Sequence, residues 1–228
     1  MILGSGLIAG LFSDMDIPDE ILIHAAGVSN SSCTSASEFR RDHNLVAQSL
    51  ETNKKVIYFS SQGCSDSSTA NAYYIHKRSI EKVILESSSR NVVVRLPQVS
   101  SRLGNPNNLI NVFYNNLRSG DLITCFARVK RNLIKDVHLK YVYNNVISDD
   151  LKGLLSFCSP YDYTPLEILN AMEKVSALTA NLSVVDYEKE VTESAVFSCS
   201  EEFHVLRKRV FTPFRDQYLI EVIHHALY

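Results

Sequence analysis

The sequence holds no Cys-x-x-Cys. Its cysteines, at positions 33, 64, 125, 158 and 199, are odd in number and scattered. That pattern excludes a disulfide framework and a thiolate zinc site, and it fits a reducing cytosol. The histidines show neither His-Glu-x-x-His nor any other ligand spacing, so no metal is expected. No apolar run is long enough to span a membrane. The apolar opening from Met1 to Phe12 has no basic segment before it, carries three glycines and runs straight into Ser13-Asp14-Met15-Asp16. It is therefore not read as a targeting signal. An excess of one charge is missing too, with 23 Lys and Arg dispersed among 25 Asp and Glu. No nucleic-acid surface is expected. Internal repeats, low-complexity tracts and long linkers are absent as well. What remains is a chain of 228 residues, enough for one substantial core or a core with a small lobe.

The stretch from Val56 to Leu85 organises the chain. Val56 to Phe59 reads as a buried strand that delivers Ser60 and Ser61 to its carboxyl end. A Ser-rich loop follows, then a helix carrying Tyr73 and Lys77 four residues apart, on one face. Lys77 beside the phenol is expected to lower the Tyr73 pKa. Tyr73 can then exchange a proton with a substrate hydroxyl or carbonyl, while Ser61 holds the same oxygen. An amphipathic helix with a packed Tyr and a solvated Lys gives the same spacing by chance. Two features favour the chemical reading: the pair is unique in the chain, and it follows a strand that ends in Ser-Ser. Tyr74 has Arg78 at the corresponding spacing, and an always-charged Arg is the poorer tuning group.

Met1 to Leu3 reads as a short strand, and Gly4-Ser5-Gly6-Leu7-Ile8-Ala9 fits G-x-G-x-x-G/A. In that motif the first glycine permits the tight turn and the second admits a pyrophosphate. The small third residue lets helix and strand pack closely. A Gly-rich turn without a ligand is the alternative. A dinucleotide fold continues with a second strand ending in Asp or Glu, about 20 residues beyond the glycines. Here Asp14 to Glu20 is a loop, and Ile21 to Ala25 is already the next strand. A βα unit or more is missing from the adenosine side. Asp14, Asp16 and Asp19 are either stand-ins for the ribose acid or solvated loop charges.

Glu38 to Leu50 has Phe39, Leu45, Val46 and Leu50 at helical spacing. Asn91 to Leu96 is a strand, and Pro97-Gln98-Val99 ends it at the carboxyl edge, where ligands sit. Asn105 to Asn108 is a turn and Leu109 to Leu117 a helix. Leu122 to Phe126 is a short strand, Ala127 to Asn132 a basic turn and Val137 to Ile147 a helix. Within that turn Arg128, Lys130 and Arg131 are either phosphate partners or solvated charges. Leu154 to Phe157 is a strand candidate. Thr164, Pro165 and Glu167 mark the start of a helix running to about Leu178. Val184 to Tyr187 is a further strand candidate, and Arg215 to Leu227 a final amphipathic helix.

This order of motifs resembles the extended short-chain dehydrogenase/reductase superfamily, in its nucleotide-sugar epimerase, dehydratase and reductase branch. The resemblance spreads over most of the chain. It rests on Gly4–Ala9, His24-Ala25-Ala26, Asn44, Phe59-Ser60-Ser61, Tyr73 with Lys77, Arg95-Leu96-Pro97, Asp136-Val137 and Ser159-to-Val175. Within the branch it is closest to short members associated with bacterial surface-polysaccharide biosynthesis. The resemblance implies an α/β fold: a doubly wound Rossmann-like parallel sheet, truncated on the adenosine side. One domain spans the chain, with a small carboxyl-side substrate lobe built mainly from about residues 100–135 and 155–228. It implies Ser61, Tyr73 and Lys77 as the catalytic triad. NAD or NADP would bind at Gly4, Ser5, Gly6, Leu7, Ile8, His24, Ala25, Ala26, Lys77 and Pro97. A nucleotide-linked sugar would meet Gln98, Asn107 and Arg131. A cytoplasmic homodimer through Glu38–Leu50 and Ala72–Leu85 is also implied. No Asp-Glu pair follows Ser61, so dehydratase chemistry is disfavoured, and 4-keto reduction or 4-epimerisation stays open. The alternative is a non-catalytic member that binds a sugar nucleotide or a partner.

Overall fold

The structure is a computed structural model that describes residues 1–68, 70–102, 108–127, 129–185 and 197–228. In chain order the elements are β1 (Ile2–Leu3), α1 (Leu7–Phe12), β2 (Ile21–His24), α2 (Ala36–Glu51), β3 (Lys55–Ser61), α3 (Ala72–Ser87) and β4 (Val92–Leu96). There follow β5 (Gln98–Ser100), α4 (Leu109–Ser119), β6 (Leu122–Phe126), β7 (Arg131–Lys135), α5 (His138–Ser148) and β8 (Gly153–Ser156). The last are β9 (Asp162–Tyr163), α6 (Pro165–Ser176), β10 (Asn181–Val185), α7 (His204–Val210) and α8 (Arg215–Leu227). The chain divides into two compact units. One comprises residues 1–96, 139–157 and 199–203, the other 97–138, 158–198 and 204–228.

The first unit is a five-stranded, all-parallel sheet in the order β1-β2-β3-β4-β8. Its strands are near-continuous apolar runs, such as Ile21-Leu22-Ile23 and Val92-Val93-Val94, because both faces are covered. Side chains alternate between the faces. Leu22, Val56, Tyr58 and Val93 pack against Val46 of α2 and Ile80 and Ile84 of α3. Phe59 points the other way, where Phe12 of α1 stacks on it at 5.8 Å and lies 5.4 Å from Tyr143 of α5. Phe12 is fully buried, so truncating it to alanine costs about 3–5 kcal/mol.

Helices thus cover both faces, as the doubly wound reading requires. The strand order, however, runs in one direction without reversing. Because α1 crosses on the face opposite to α2 and α3, the first connection has the opposite hand to the next two. Right-handed crossovers are close to universal. The exception follows from a helix that would ordinarily lead to a strand beyond β1 and here leads back to β2. Among the described residues nothing pairs with the outer side of β1. At the other edge Ser156 N–H donates to Ser200 Oγ and Ser200 N–H to Ser156 O, both at 2.8 Å.

In the second unit β5, β7 and β9 form one sheet and β6 pairs with β10. The expected basic turn at 127–132 ends in a strand instead, since Arg131 opens β7 and Leu133 and Ile134 are buried there. Its alternation is too short to stand out beside three basic residues. The short helix α7 was not expected either, and neither was β9. Thr164 caps α6 with the foreseen capping box, accepting from Glu167 N while Glu167 Oε2 accepts from Thr164 N at 2.7 Å. The helix ends at Ser176, within two residues of the expected Leu178, and Ala177 after it takes the left-handed conformation with φ 57°.

Candidate active site

Lys55 to Ser61 is the central strand, and Ser61 is its last residue. The Ser61 hydroxyl accepts from Gly63 N at 3.3 Å, which starts a single turn of 3-10 helix over Gln62–Ser65. Its own proton remains free to donate. Ser60 is buried, with Oγ 3.7 Å from Cys64 Sγ, so Ser61 is the more accessible of the two. Gly63 lies directly against the Tyr74 ring, where a Cβ has no room. This contact brings the strand end and the start of α3 together. Asn71 caps that helix, its Oδ1 accepting from Tyr73 N at 2.9 Å and Tyr74 N at 3.4 Å.

The buried stripe of α3 is Tyr73, His76, Lys77, Ile80, Glu81 and Ile84. The Tyr–Lys face is therefore the inner face, and the solvated-lysine alternative is excluded, as Lys77 is 4% exposed. Its amine donates to Tyr58 Oη at 2.5 Å and lies 5.9 Å from the Tyr73 ring centroid. Burial lowers the Lys77 pKa, opposed chiefly by the charge of Asp42. Burial also pushes the Tyr73 phenol well up. The expectation that Lys77 lowers the Tyr73 pKa is thus corrected. The amine is spent on Tyr58, and the phenol sits in a low-dielectric pocket beside Cys64 and Tyr74 that disfavours its anion.

Gly4 has φ 133°, and a Cβ there would run into the backbone carbonyl of Ala25. The turn after β1 and the end of β2 are in contact, which only glycine allows. Ser5 and Gly6 are exposed, Leu7 and Ile8 half-buried, as are Ala25 and Ala26. Gly6 starts α1 without a side-chain cap. The His24 ring turns away from this turn: it is buried, with Nδ1 2.8 Å from Ser49 Oγ. Of the acids on the short loop, Asp14 is paired with Lys140 at 2.8 Å, and Asp16, Asp19 and Glu20 are exposed.

Two residues that the sequence did not single out, Asp42 and Tyr58, and Gly27 from the small-residue tail after β2 complete the cluster. Asp42 is fully buried on α2, with Oδ2 2.9 Å from His76 Nε2 and accepting from Val28 N at 3.1 Å. Burial works against its charge, yet His24, the Lys77 ammonium, His76 and the Val28 N–H together hold the carboxyl well below the usual carboxylate range. Tyr58 faces the same cluster. Gly27 closes it: a Cβ there would lie 3.0 Å from Lys77 Nζ, 3.4 Å from Tyr58 Oη and 3.6 Å from Asp42 Oδ1. The signal for Asp42 was its place on the stripe of α2 with Val46 and Ser49. Asn44, two positions on, is exposed.

In the second unit Pro97 is half-buried and Gln98 Nε2 donates to Asn108 Oδ1 at 3.2 Å. Asn108 also caps α4. Arg131 is exposed. Asn107 and Arg128 lie outside the described residues.

No protein-family model matches the chain. No curated protein matches its sequence either. Solved structures do match in fold. The dTDP-4-dehydrorhamnose reductase of Bacillus anthracis, in complex with NADP, superposes with a TM-score of 0.68 at 16% identity, covering 91% of this chain and 79% of that one. The Bordetella bronchiseptica enzyme WbmH, in complex with NAD+, gives 0.72 at 18% identity, over 97% of this chain and 78% of that one. The chain shares its fold with these proteins. Thermus thermophilus UDP-glucose 4-epimerase, in complex with NAD, shares this fold at a TM-score of 0.70 and 14% identity, over 90% and 77% of the two chains. At such identities the likeness concerns the fold, and the chemistry rests on the residues above. Among the described residues no helix is long and apolar enough to cross a membrane.

Proposed function

We propose that this chain is an NAD(P)-dependent enzyme acting on a nucleotide-linked sugar, by 4-keto reduction or 4-epimerisation, in surface-polysaccharide biosynthesis in the cytoplasm. The observation that carries the reading is Ser61 at the end of the central strand, with Tyr73 and Lys77 on the buried face of the helix that follows it. Solved proteins of the same fold, a sugar-nucleotide reductase and a sugar-nucleotide epimerase among them, hold NADP or NAD.

The residues fit the nicotinamide half of such a cofactor. Gly27, lacking a Cβ, lets the backbone pass close to the Lys77 amine, and Gly4 lets the first turn close on Ala25. They fit the adenosine half poorly, because among the described residues no strand lies beyond β1 to carry a ribose-binding acid. When bound, the nicotinamide supplies the hydride acceptor or donor. Tyr73 passes a proton between its Oη and a sugar oxygen. Its raised pKa keeps the phenol protonated, the form that can donate to a forming alkoxide, while making it the weaker acid. Ser61 donates a hydrogen bond to the same oxygen, and Lys77 offers its remaining N–H groups on the Gly27 side. Gln98, Asn107 and Arg131 are assigned to the sugar nucleotide.

The test is a titration of pure protein with NADH and NADPH at low and high salt, read by fluorescence enhancement and thermal shift. Weak binding with a modest preference for NAD is expected. The acidic Asp14–Glu20 loop repels the 2′-phosphate only through screened, exposed charges. Turnover of UDP- and dTDP-linked 4-keto sugars then decides the reaction. A second reading, a non-catalytic sugar-nucleotide-binding or partner-binding protein, is favoured by the bare outer side of β1 and by the engagement of Lys77 with Tyr58. Failure of both cofactors to bind at about millimolar concentration, where the binding free energy is only about −4 kcal/mol, selects it.

A further inference from the structure

We propose that Asp42 and Tyr58 are positioning residues for Lys77, holding its amine protonated and aimed at the turn at Gly27. The inference rests on reading Lys77 as the lysine of a dinucleotide site and deepens that reading. It concerns residues from two other elements, α2 and β3, that meet the lysine in the interior of the sheet's helical layer.

A lysine amine without water needs an acceptor for its protons and a negative charge nearby. Tyr58 is the acceptor. Its ring lies 4.6 Å from Nζ, so the ammonium gains from the π face as well as from the oxygen. The phenol is pushed far up by burial and stays neutral. Asp42 is the charge. The groups acting on Lys77 are Asp42 from α2, Tyr58 from β3, Cys64 from the 3-10 turn, and Tyr73 and Glu81 from α3. His24 of β2 and His76 of α3 stand against Asp42, and Arg95 of β4 against Glu81. Glu81 is already claimed by Arg95 in a bidentate pair, at 3.0 and 2.6 Å. Asp42 meets no lysine or arginine in an ion pair among the described residues: Oδ2 contacts His76 Nε2 at 2.9 Å, Oδ1 makes no hydrogen bond, and His24 Nε2 stands 3.9 Å away. The point where a Gly27 Cβ would stand is within 3.6 Å of Asp42 Oδ1, Lys77 Nζ and Tyr58 Oη at once. Carboxylate, ammonium and phenol therefore all border the space that a Gly27 Cβ would fill.

The same carboxylate fixes the turn itself. Asp42 Oδ2 accepts the Val28 N–H and so pins the Gly27–Val28 backbone over the amine. One side chain thereby sets both the charge of Lys77 and the distance of the backbone it faces. Burial alone shifts a lysine pKa down by up to about 3–5 units, enough to leave the amine neutral near pH 7. Asp42 is the largest influence in the opposite direction.

The test is a pH titration of the Lys77 Cε resonance in protein labelled with 13C-lysine and free of dinucleotide. The signal is assigned by its loss in Lys77→Met. Asp42→Asn is expected to lower the Lys77 midpoint by more than one unit, a loss of more than tenfold in proton affinity. Tyr58→Phe keeps the ring and its packing and is expected to lower the midpoint by a smaller step. It carries the test alone if Asp42→Asn does not fold. A residue that only packs would change the melting temperature and leave the midpoint in place. An unchanged midpoint in either folded variant overturns the proposal. Because no cofactor is present, failure of NADH to bind sinks the functional reading without touching this result.

Discussion

His138 opens α5 and is 2% exposed, its ring packed edge-on against Phe211 at 4.7 Å and parallel to Tyr218 at 6.3 Å. Its Nδ1 has no hydrogen-bond partner among the described residues. Burial, with Lys135 and His225 adding to it and Asp136 opposing, pushes its pKa from 6.5 down to about 3. Between those values the unfolded chain binds a proton that the folded chain excludes. Stability therefore rises with pH across this window, and it is fully present only above about 6.5. Each unit of pH in the window is worth about 1.4 kcal/mol. Moving from pH 7 to pH 5 should cost about 2 kcal/mol from this one ring, and moving to pH 4 about 3 kcal/mol. At a typical urea dependence of about 2 kcal/mol per molar, the first step lowers the unfolding midpoint by about 1 M. The assay is urea unfolding at pH 7 and pH 5 for wild type and His138→Gln, which cannot titrate. The difference between the two slopes isolates His138 from the other acids and histidines. Equal slopes would refute the reasoning, as would an imidazole resonance of His138 that titrates near pH 6.5.

Tyr73→Phe should abolish turnover while leaving dinucleotide affinity within a few-fold, whereas Lys77→Ala should damage both; near-wild-type turnover in Tyr73→Phe excludes the proton-transfer role. Glu81→Gln strands the Arg95 guanidinium in a site where its side chain is 15% exposed. It should cost about 3–5 kcal/mol in urea unfolding, with most of that regained in Glu81→Leu/Arg95→Met, because the uncompensated charge is then gone; equal losses in single and double variants would show that the pair is not the cause. A homodimer through the outer faces of α2 and α3 is expected, and sedimentation showing only monomer at micromolar concentration excludes it.

The parallel sheet and its helices were legible because buried strands and amphipathic helices leave strong periodic signals. Ile21 to Ala25, Val56 to Phe59 and Asn91 to Leu96 each correspond to a strand. The odd hand of the first connection was not legible as such, but its cause was: the loop at Asp14–Glu20 leaves no room for another strand. That Tyr73 and Lys77 lie together could be read from spacing, since position along one helix fixes which side chains share a face. What the lysine does within that face could not. Its partners Asp42 and Tyr58 come from other elements, and a sequence does not say which interior groups converge. The short strands of the second unit escaped for a different reason. Two or three residues, as at β5 and β9, are too few to display a period.

The pair of hydrogen bonds between Ser156 and Ser200 has a consequence for self-association. A parallel sheet of this kind ends in a row of unpaired backbone groups, which is a template for another strand. On β8 the outward N–H of Ser156 is the one occupied, by the Ser200 hydroxyl, and the carbonyl of Ser156 is taken by the Ser200 N–H. Leu154, two residues earlier on the same strand, is 45% exposed. The edge is thus apolar and open at one end and sealed at the other. A foreign strand arriving beside Leu154 cannot extend past Ser156 without displacing the segment around Ser200.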